Sequence, residues 1–313
     1  RRRRGAARRR HRGRRRGRDL AVQPALLALR PDPSKMSLME TPATPGAVRV
    51  EQPAPATDSA TASDAPVSPD VFRSAVSSYE PVYFSAGSNG RTNARFQISF
   101  KFRLFRPTDY ASEGRSFADD LYLGFTQTSL WDLHGDSRPF FDTSYRPVLF
   151  FFRENLGTVS QRLSYGLEAG IEHESNGKDG TDSRSINIVY VKPLIRFGLG
   201  RRYGLMLAPK IYAYLDDTPD DTEKDISDYR GYVDLLLRLE RRDYWRLDTI
   251  ARKGTDTDKG SVEVDFSYPL RWVSLGNLNG YLHLQYFYGY GETILSYDLR
   301  FDPQYRIGLM LVR

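Results

Sequence analysis

The chain has 313 residues with no cysteine, which excludes disulfides, thiolate metal sites and a cysteine nucleophile. Its formal net charge of +7 comes from one end: residues 1–18 hold twelve Arg and no acid, and removing those twelve charges leaves −5 for the rest. A mildly acidic body argues against a nucleic-acid-binding protein, and without a run of about eighteen apolar residues there is no transmembrane helix.

Taken in order, the chain begins with a leader over 1–78. Arg1–Arg18 is the basic run, read as a solvated, disordered or misassigned extension; binding to RNA or anionic lipid is the other reading. Leu20–Leu29 is a short apolar patch broken by Pro24, a poor export signal that lacks a clean small-residue cleavage site. Pro42–Pro69 is rich in Ala, Pro, Ser and Thr and reads as disordered.

From residue 79 to 313 the pattern is strands only. Twelve are expected, at about 80–86, 94–105, 121–132, 145–153, 162–175, 185–197, 203–215, 229–240, 245–254, 260–270, 279–290 and 303–312. Most are long enough to cross a bilayer at a tilt. Phe96, Ile98, Phe100, Phe102 and Leu104 alternate with Arg95, Gln97, Ser99, Lys101 and Arg103; Val233, Leu235, Leu237 and Leu239 alternate with Asp234, Arg238 and Glu240. Links after even strands are mostly short and several after odd strands are longer and polar, the pattern of an outer-membrane barrel with its charged face inside. The link 106–120 is an exception. The fold class expected is all-β, a 12-stranded antiparallel transmembrane β-barrel behind a disordered leader. Pro147, Pro193, Pro209 and Pro269 cannot donate to a ladder and are expected near strand ends or bulges. Glu168, Glu172 and Glu174 face inward, either as a structural network with Arg and Lys or as the paired carboxylates of a glycosidase; the network is the better reading for a lumen that must be filled. Gln127 shares the apolar parity of Leu123 and Phe125, where an unpaired amide is costly; a local bulge would explain it.

The stretch 163–197 carries the chemistry. Leu163, Tyr165, Leu167, Ala169 and Ile171 share one face, and His173 and Ser175 continue it. On the return arm Asn187 joins the face of Val189 and Val191. A hairpin centred on Gly180 sets His173 opposite Asn187 and Ser175 opposite Ser185, with opposed Cβ atoms about 5 Å apart. That places a nucleophile, a base and an orienting group together; from the spacing alone a polar patch at a strand end is the better reading. Of the other histidines, His11 lies in the Arg run, His134 in a loop, and His283 among aromatics as a structural residue. The loop 176–184 holds Asn176, Asp179, Thr181, Asp182 and Ser183, a set of oxygen donors found more often in a solvated turn than around calcium.

The segment HESNGKDGTDSRSIN at 173–187 resembles the active-site hairpin of the outer membrane phospholipase A family: His, an acidic residue, Ser-Asn-Gly, a variable loop, Ser-Arg-Ser, one residue, Asn. ARFQISF (94–100), FTQTSLW (125–131), RPFFDTSYRP (138–147), DDTPD (216–220), YRGY (229–232), YGYGET (288–293) and QYRIGLML (304–311) are similar to further segments of that family, so the resemblance runs from about Val82 to the C-terminus. The resemblance implies Ser175 as nucleophile, His173 as general base, Asn187 orienting it and the Gly177 N–H in the oxyanion site. It implies calcium held by the Ser183 side chain, the Lys178 carbonyl and, across a homodimer, the Ser137 carbonyl, with Asp217 matching a carboxylate used in the monomer. The family has Arg where Lys178 stands, which a backbone ligand tolerates; the late acidic loop residue of some members matches Gly180, so Asp179 or Asp182 would have to substitute. It implies Gln127 as a hydrogen-bonding residue of the dimer interface. The expected function is a calcium-dependent phospholipase A1/A2 of the Gram-negative outer membrane, acting on phospholipid and activated by dimerisation. A non-catalytic pore or scaffold, and a soluble lipid- or RNA-binding protein, are the alternatives.

Overall fold

The computed structural model describes residues 75–88, 92–105, 116–134, 137, 139–215, 225–272 and 279–313. The leader up to residue 74, and with it every reading of the Arg run, lies outside the described residues, as does Asp217.

Alternation produces the expected architecture. The barrel strands are β1 (Val82–Ser88), β2 (Thr92–Arg103), β3 (Leu121–Asp132), β4 (Phe140–Ser160), β5 (Leu163–Ser175), β6 (Ser185–Leu199), β7 (Tyr203–Tyr214), β8 (Val233–Arg241), β9 (Arg246–Lys253), β10 (Gly260–Pro269), β11 (Tyr281–Tyr290) and β12 (Arg300–Val312). Each pairs antiparallel with its sequence neighbours, and β12 closes on β1 with Gly308 opposite Ser85. The sheet therefore has no free edge, which is what a spanning strand needs in hydrocarbon, where water cannot satisfy an open ladder. No helix among the described residues is long and apolar enough to cross a membrane.

Two boundaries differ from expectation. The fourth strand runs over twenty-one residues, because its polar second half, RENLGTVS, keeps pairing with β5 through register shifts after Arg153. Residues 229–230 end a short helix, α1 (Ile226–Arg230), and the strand begins only after Gly231, whose φ of +68° turns the chain. A Cβ on Gly231 would lie 2.0 Å from the Lys253 carbonyl oxygen.

The prolines also depart from expectation. Only Pro269 ends a strand. Pro193 and Pro209 fall in strand interiors where the β6–β7 ladder skips from Val191–Ile211 to Ile195–Leu207. Pro147 falls where the β4–β5 ladder skips from Tyr145–Ser175 to Val148–Glu172. Each missing donor is absorbed by a local gap, so a strand can keep a proline without ending.

The wall faces two solvents. Ile98, Leu123, Ile171, Leu237 and Leu309 are exposed outward, the apolar face that a spanning strand turns to hydrocarbon. Inward, charges are buried and paired. Glu168 accepts from Tyr79 and Tyr190 at 3.0 Å each and meets Lys192 at 3.3 Å; Glu172 meets Lys210 at 2.8 Å; Glu174 accepts from Ser144 at 2.7 Å and Arg230 at 3.1 Å. These carboxylates are consumed as a structural network, as expected, and not as a glycosidase pair. Val76–Ser77 pairs with Phe102 and Lys101 in line with β1, and the intervening residues turn inward, so that Glu80 meets Arg146 at 2.5 Å across the lumen.

Candidate active site

The β5–β6 register is the one the hairpin symmetry requires: His173 opposite Asn187 and Ser175 opposite Ser185. His173 Nδ1 lies 2.7 Å from Asn187 Oδ1. A carboxamide oxygen only accepts, so Nδ1 carries the proton and the neutral ring keeps its lone pair on Nε2. Ser175 is half-buried two residues along the same strand face, with Cα positions about 6.6 Å apart. His173 and Asn187 are thus engaged with each other, and Ser175 stands beside them on the outward face of the wall. Pro147, at the ladder gap beside His173, sits in this row on β4.

Gly177 follows at φ +65°, a backbone state that favours glycine. A Cβ there would also lie 3.1 Å from the Tyr145 ring. Tyr145 pairs with Ser175 on one side and with Gln127 on the other, so Gln127 stands in the Ser175 row, two strands away. The β3 register is regular through Gln127, so no bulge explains it; its Nε2 donates to Ser129 Oγ at 3.3 Å, leaving most of the amide's capacity unused by that contact. Tyr145 was not legible as a site residue, because an aromatic in a strand is ordinary; only its place between Ser175, Gly177 and Gln127 marks it.

The loop 176–184 is tied shut by one side chain. Asn176 Nδ2 donates to the Asp182 carbonyl at 2.7 Å, and its Oδ1 accepts from the backbone N–H groups of Arg184 at 3.0 Å and Lys178 at 3.3 Å. Its oxygen is therefore spent on the loop, which corrects its place among the free oxygen donors. Arg184 Nη1 likewise takes the carbonyls of Thr181 at 2.9 Å and Ser183 at 2.7 Å. Replacing Asn176 with Ala should expose the loop to trypsin at Lys178 and Arg184 while the barrel keeps its heat-dependent gel migration; trypsin resistance equal to wild type would show that the loop does not depend on this side chain.

The donors implied for calcium are hard oxygens of the right kind. Lys178 and Ser183 flank the tied loop, and Ser137 is exposed in the link between β3 and β4, on the adjacent hairpin. No cluster of three or more His, Asp or Glu suited to a metal exists among the described residues. An ion here would rest on carbonyl and hydroxyl oxygens and water. The residues fit an ion of that kind.

A second serine–histidine pair lies in the lumen wall. His283 is within 2.7 Å of Ser85 Oγ through Nδ1 and 2.8 Å of Asp265 Oδ1 through Nε2. Ser85 and His283 are fully buried, and both ring nitrogens are occupied. This group clasps β1, β10 and β11 across Gly308 and has no route for an ester, in keeping with the structural role expected for His283.

Behind the hairpin the separate sequence motifs converge. Arg95 meets Glu263 at 2.7 Å and Glu292 at 3.9 Å; Arg306 meets Glu292 at 2.5 Å. Asp142 accepts from the Leu295 N–H at 3.0 Å, and Ile294 and Tyr297 pack with Ile186 and Ile226 over the barrel end next to the loop.

The family model described as Phospholipase A1 matches residues 70–311. A Neisseria meningitidis protein assigned the same activity by name is 29% identical over 222 residues, 68% of this chain and 53% of that protein, so the chain spans about half of its length. Phospholipase A1 of Proteus vulgaris is 28% identical over 247 residues, 77% of this chain and 74% of that protein. Phospholipase A1 of Escherichia coli K12 is 27% identical over 254 residues, 77% and 76%. Among solved structures, outer membrane phospholipase A from Escherichia coli superposes with a TM-score of 0.62 at 23% identity, covering 75% of this chain and 94% of that one. A Salmonella typhi outer membrane phospholipase dimer with bound calcium gives 0.62 at 24%, covering 75% and 92%. The structural likeness establishes the fold, and the family match over nearly all of the described residues establishes the lineage: the chain belongs to the phospholipase A1 family.

Proposed function

We infer that this protein is a calcium-dependent phospholipase of the Gram-negative outer membrane that hydrolyses acyl esters of phospholipids at a Ser-His-Asn site on the outer face of the barrel. The observation that carries the reading is the 2.7 Å contact between His173 and Asn187 in the row of Ser175, on a lipid-facing wall, in a chain of an ester-hydrolysing family.

The chemistry follows from the atoms. Asn187 fixes the tautomer that leaves Nε2 basic. Nε2 takes the Ser175 proton as Oγ attacks the ester carbonyl, then returns it to the departing alcohol. Water, deprotonated by the same nitrogen, releases the fatty acid from the acyl-serine. The Gly177 N–H, set by its positive φ, donates to the oxyanion. The Lys178 carbonyl and the Ser183 side chain, with the partner's loop, would hold calcium, which would supply positive charge for the developing oxyanion. Because the row faces hydrocarbon, acyl chains lie along the wall and no interior pocket is needed; lysophospholipids and both acyl positions are open to such a site. A half-site on a convex wall is completed by a second barrel, and Gln127, in the same row, is the amide placed to hydrogen-bond across that interface. Dimerisation is thereby the activating step.

A pore is disfavoured by the filled lumen, whose central cavity is about 240 Å³ and ringed by ion pairs. The test is phospholipid hydrolysis by refolded protein in detergent, with calcium and with chelator. Activity that disappears with chelator and returns with calcium is expected; a rate indifferent to both would overturn the calcium assignment.

A further inference from the structure

The turn-side end of the barrel carries a charge imbalance that hydrolysis at the other end does not use. Two clefts open there, of about 410 and 630 Å³, sharing Glu154, Asn155, Ser164 and Arg196 in their walls. Seven basic side chains line them against two acidic ones, Glu154 and Glu240. Three of the seven are engaged: Arg238 holds Asp248 through two bonds at 2.7 and 2.9 Å, Arg246 meets Glu240 at 3.3 Å, and Arg196 meets Glu154 at 3.3 Å. The other four, Lys101, Arg103, Arg162 and Arg242, form no ion pair with another described residue. Lys101 and Arg103 are instead steadied by rings, Lys101 at 4.3 Å from the Phe152 centroid and Arg103 at 5.3 Å from that of Tyr122. The rest of the lumen pairs its cations with carboxylates, as Arg95, Lys210, Arg230 and Arg252 show. The mouth stands apart from that pattern.

Converging cations repel one another, and the field between low-dielectric walls concentrates anions. Guanidinium groups fork onto two oxygens at once, which suits a tetrahedral oxyanion of two or more charges. The clefts far exceed the size of a halide. Most of the charged groups that line them (Lys101, Arg103, Arg196, Arg238, Arg246) lie on the lumen-facing parity, with Leu163, Phe197 and Leu205 of the outer face only bordering the first cleft, which favours a soluble anion over a lipid headgroup. We propose that the turn-side mouth is a binding site for a soluble phosphate-bearing anion, either inorganic phosphate or a water-soluble phosphate ester, with Arg162 and Arg242 as its outer grip.

The test uses the full chain in a phosphate-free sugar detergent at low salt, titrated calorimetrically with pyrophosphate and with glycerophosphate. The double variant Arg162→Gln/Arg242→Gln, on exposed turns, should bind about tenfold more weakly. The double variant Arg201→Gln/Arg202→Gln removes equal charge from a neighbouring turn outside the clefts and should bind as wild type does. Equal weakening by both pairs would show a general field and no site, and absence of binding to the wild type would remove the proposal outright. Weaker pyrophosphate binding in phosphatidylglycerol nanodiscs than in phosphatidylcholine ones would assign these cations to lipid headgroups and overturn the soluble-anion site. Heat-dependent gel migration of each variant reports folding independently.

Discussion

Ser175→Ala is expected to lower phospholipid hydrolysis by at least about a thousandfold while leaving the barrel folded. The size follows from what remains. The His173–Asn187 contact persists, and so does the loop that sets Gly177, but the remaining serine of the row, Ser185, lies on the opposite arm, diagonal to His173 across the ladder, and does not replace a nucleophile on the same strand as the base. The fold should not respond, because Ser175 is half-buried at the strand end and its side chain ties no two strands together. Activity, measured as fatty acid released from mixed micelles in the presence of calcium, is compared with heat-dependent gel migration of the same sample. Asn187→Ala should fall between the two, by about ten- to a hundredfold, since one orienting hydrogen bond is worth about 1–3 kcal/mol. Wild-type rates from Ser175→Ala would move the nucleophile elsewhere and leave the row as a polar patch.

Arg306→Met is expected to have the largest effect on stability. The side chains of Arg306 and Glu292 are each 1% exposed and 2.5 Å apart, and Arg306 also donates through Nε to Asn93 at 2.7 Å. Removing one member of a buried pair strands the other's charge, at a cost of about 3–5 kcal/mol. Arg95, 3.9 Å from the same Glu292 oxygen, recovers part of this. The double variant Arg306→Met/Glu292→Gln should regain most of the loss, because no charge is then left unpaired. Urea titration of refolded barrel reads both. A double variant no more stable than Arg306→Met would mean that packing around Met310 and the seam, and not the stranded carboxylate, sets the cost.

Much of this was open to inspection along the chain. Period-two alternation located all twelve strands, since each residue must face hydrocarbon or lumen and neither face tolerates the other's side chains. The same rule, with one symmetry centre at Gly180, pairs His173 with Asn187 from the sequence, because hairpin register is local. Calcium ligation at Ser137, Lys178 and Ser183, and dimerisation through Gln127, rest on resemblance and on the proposals above. Asp217 lies outside the described residues.

The remainder required the closed barrel. Pro147 in mid-strand, Asn176 as a tie and Tyr145 between Ser175 and Gln127 depend on which backbone groups a neighbouring strand leaves open. Arg95, Arg230, Glu292 and Arg306 lie in segments far apart in sequence. That they brace one lumen, and that Lys101 and Arg162 meet at one mouth, is set by closure of β12 on β1. Alternation is a property of adjacent residues and survives in the sequence; partnership across a lumen is a property of strand order and curvature, and only the tertiary structure decides it.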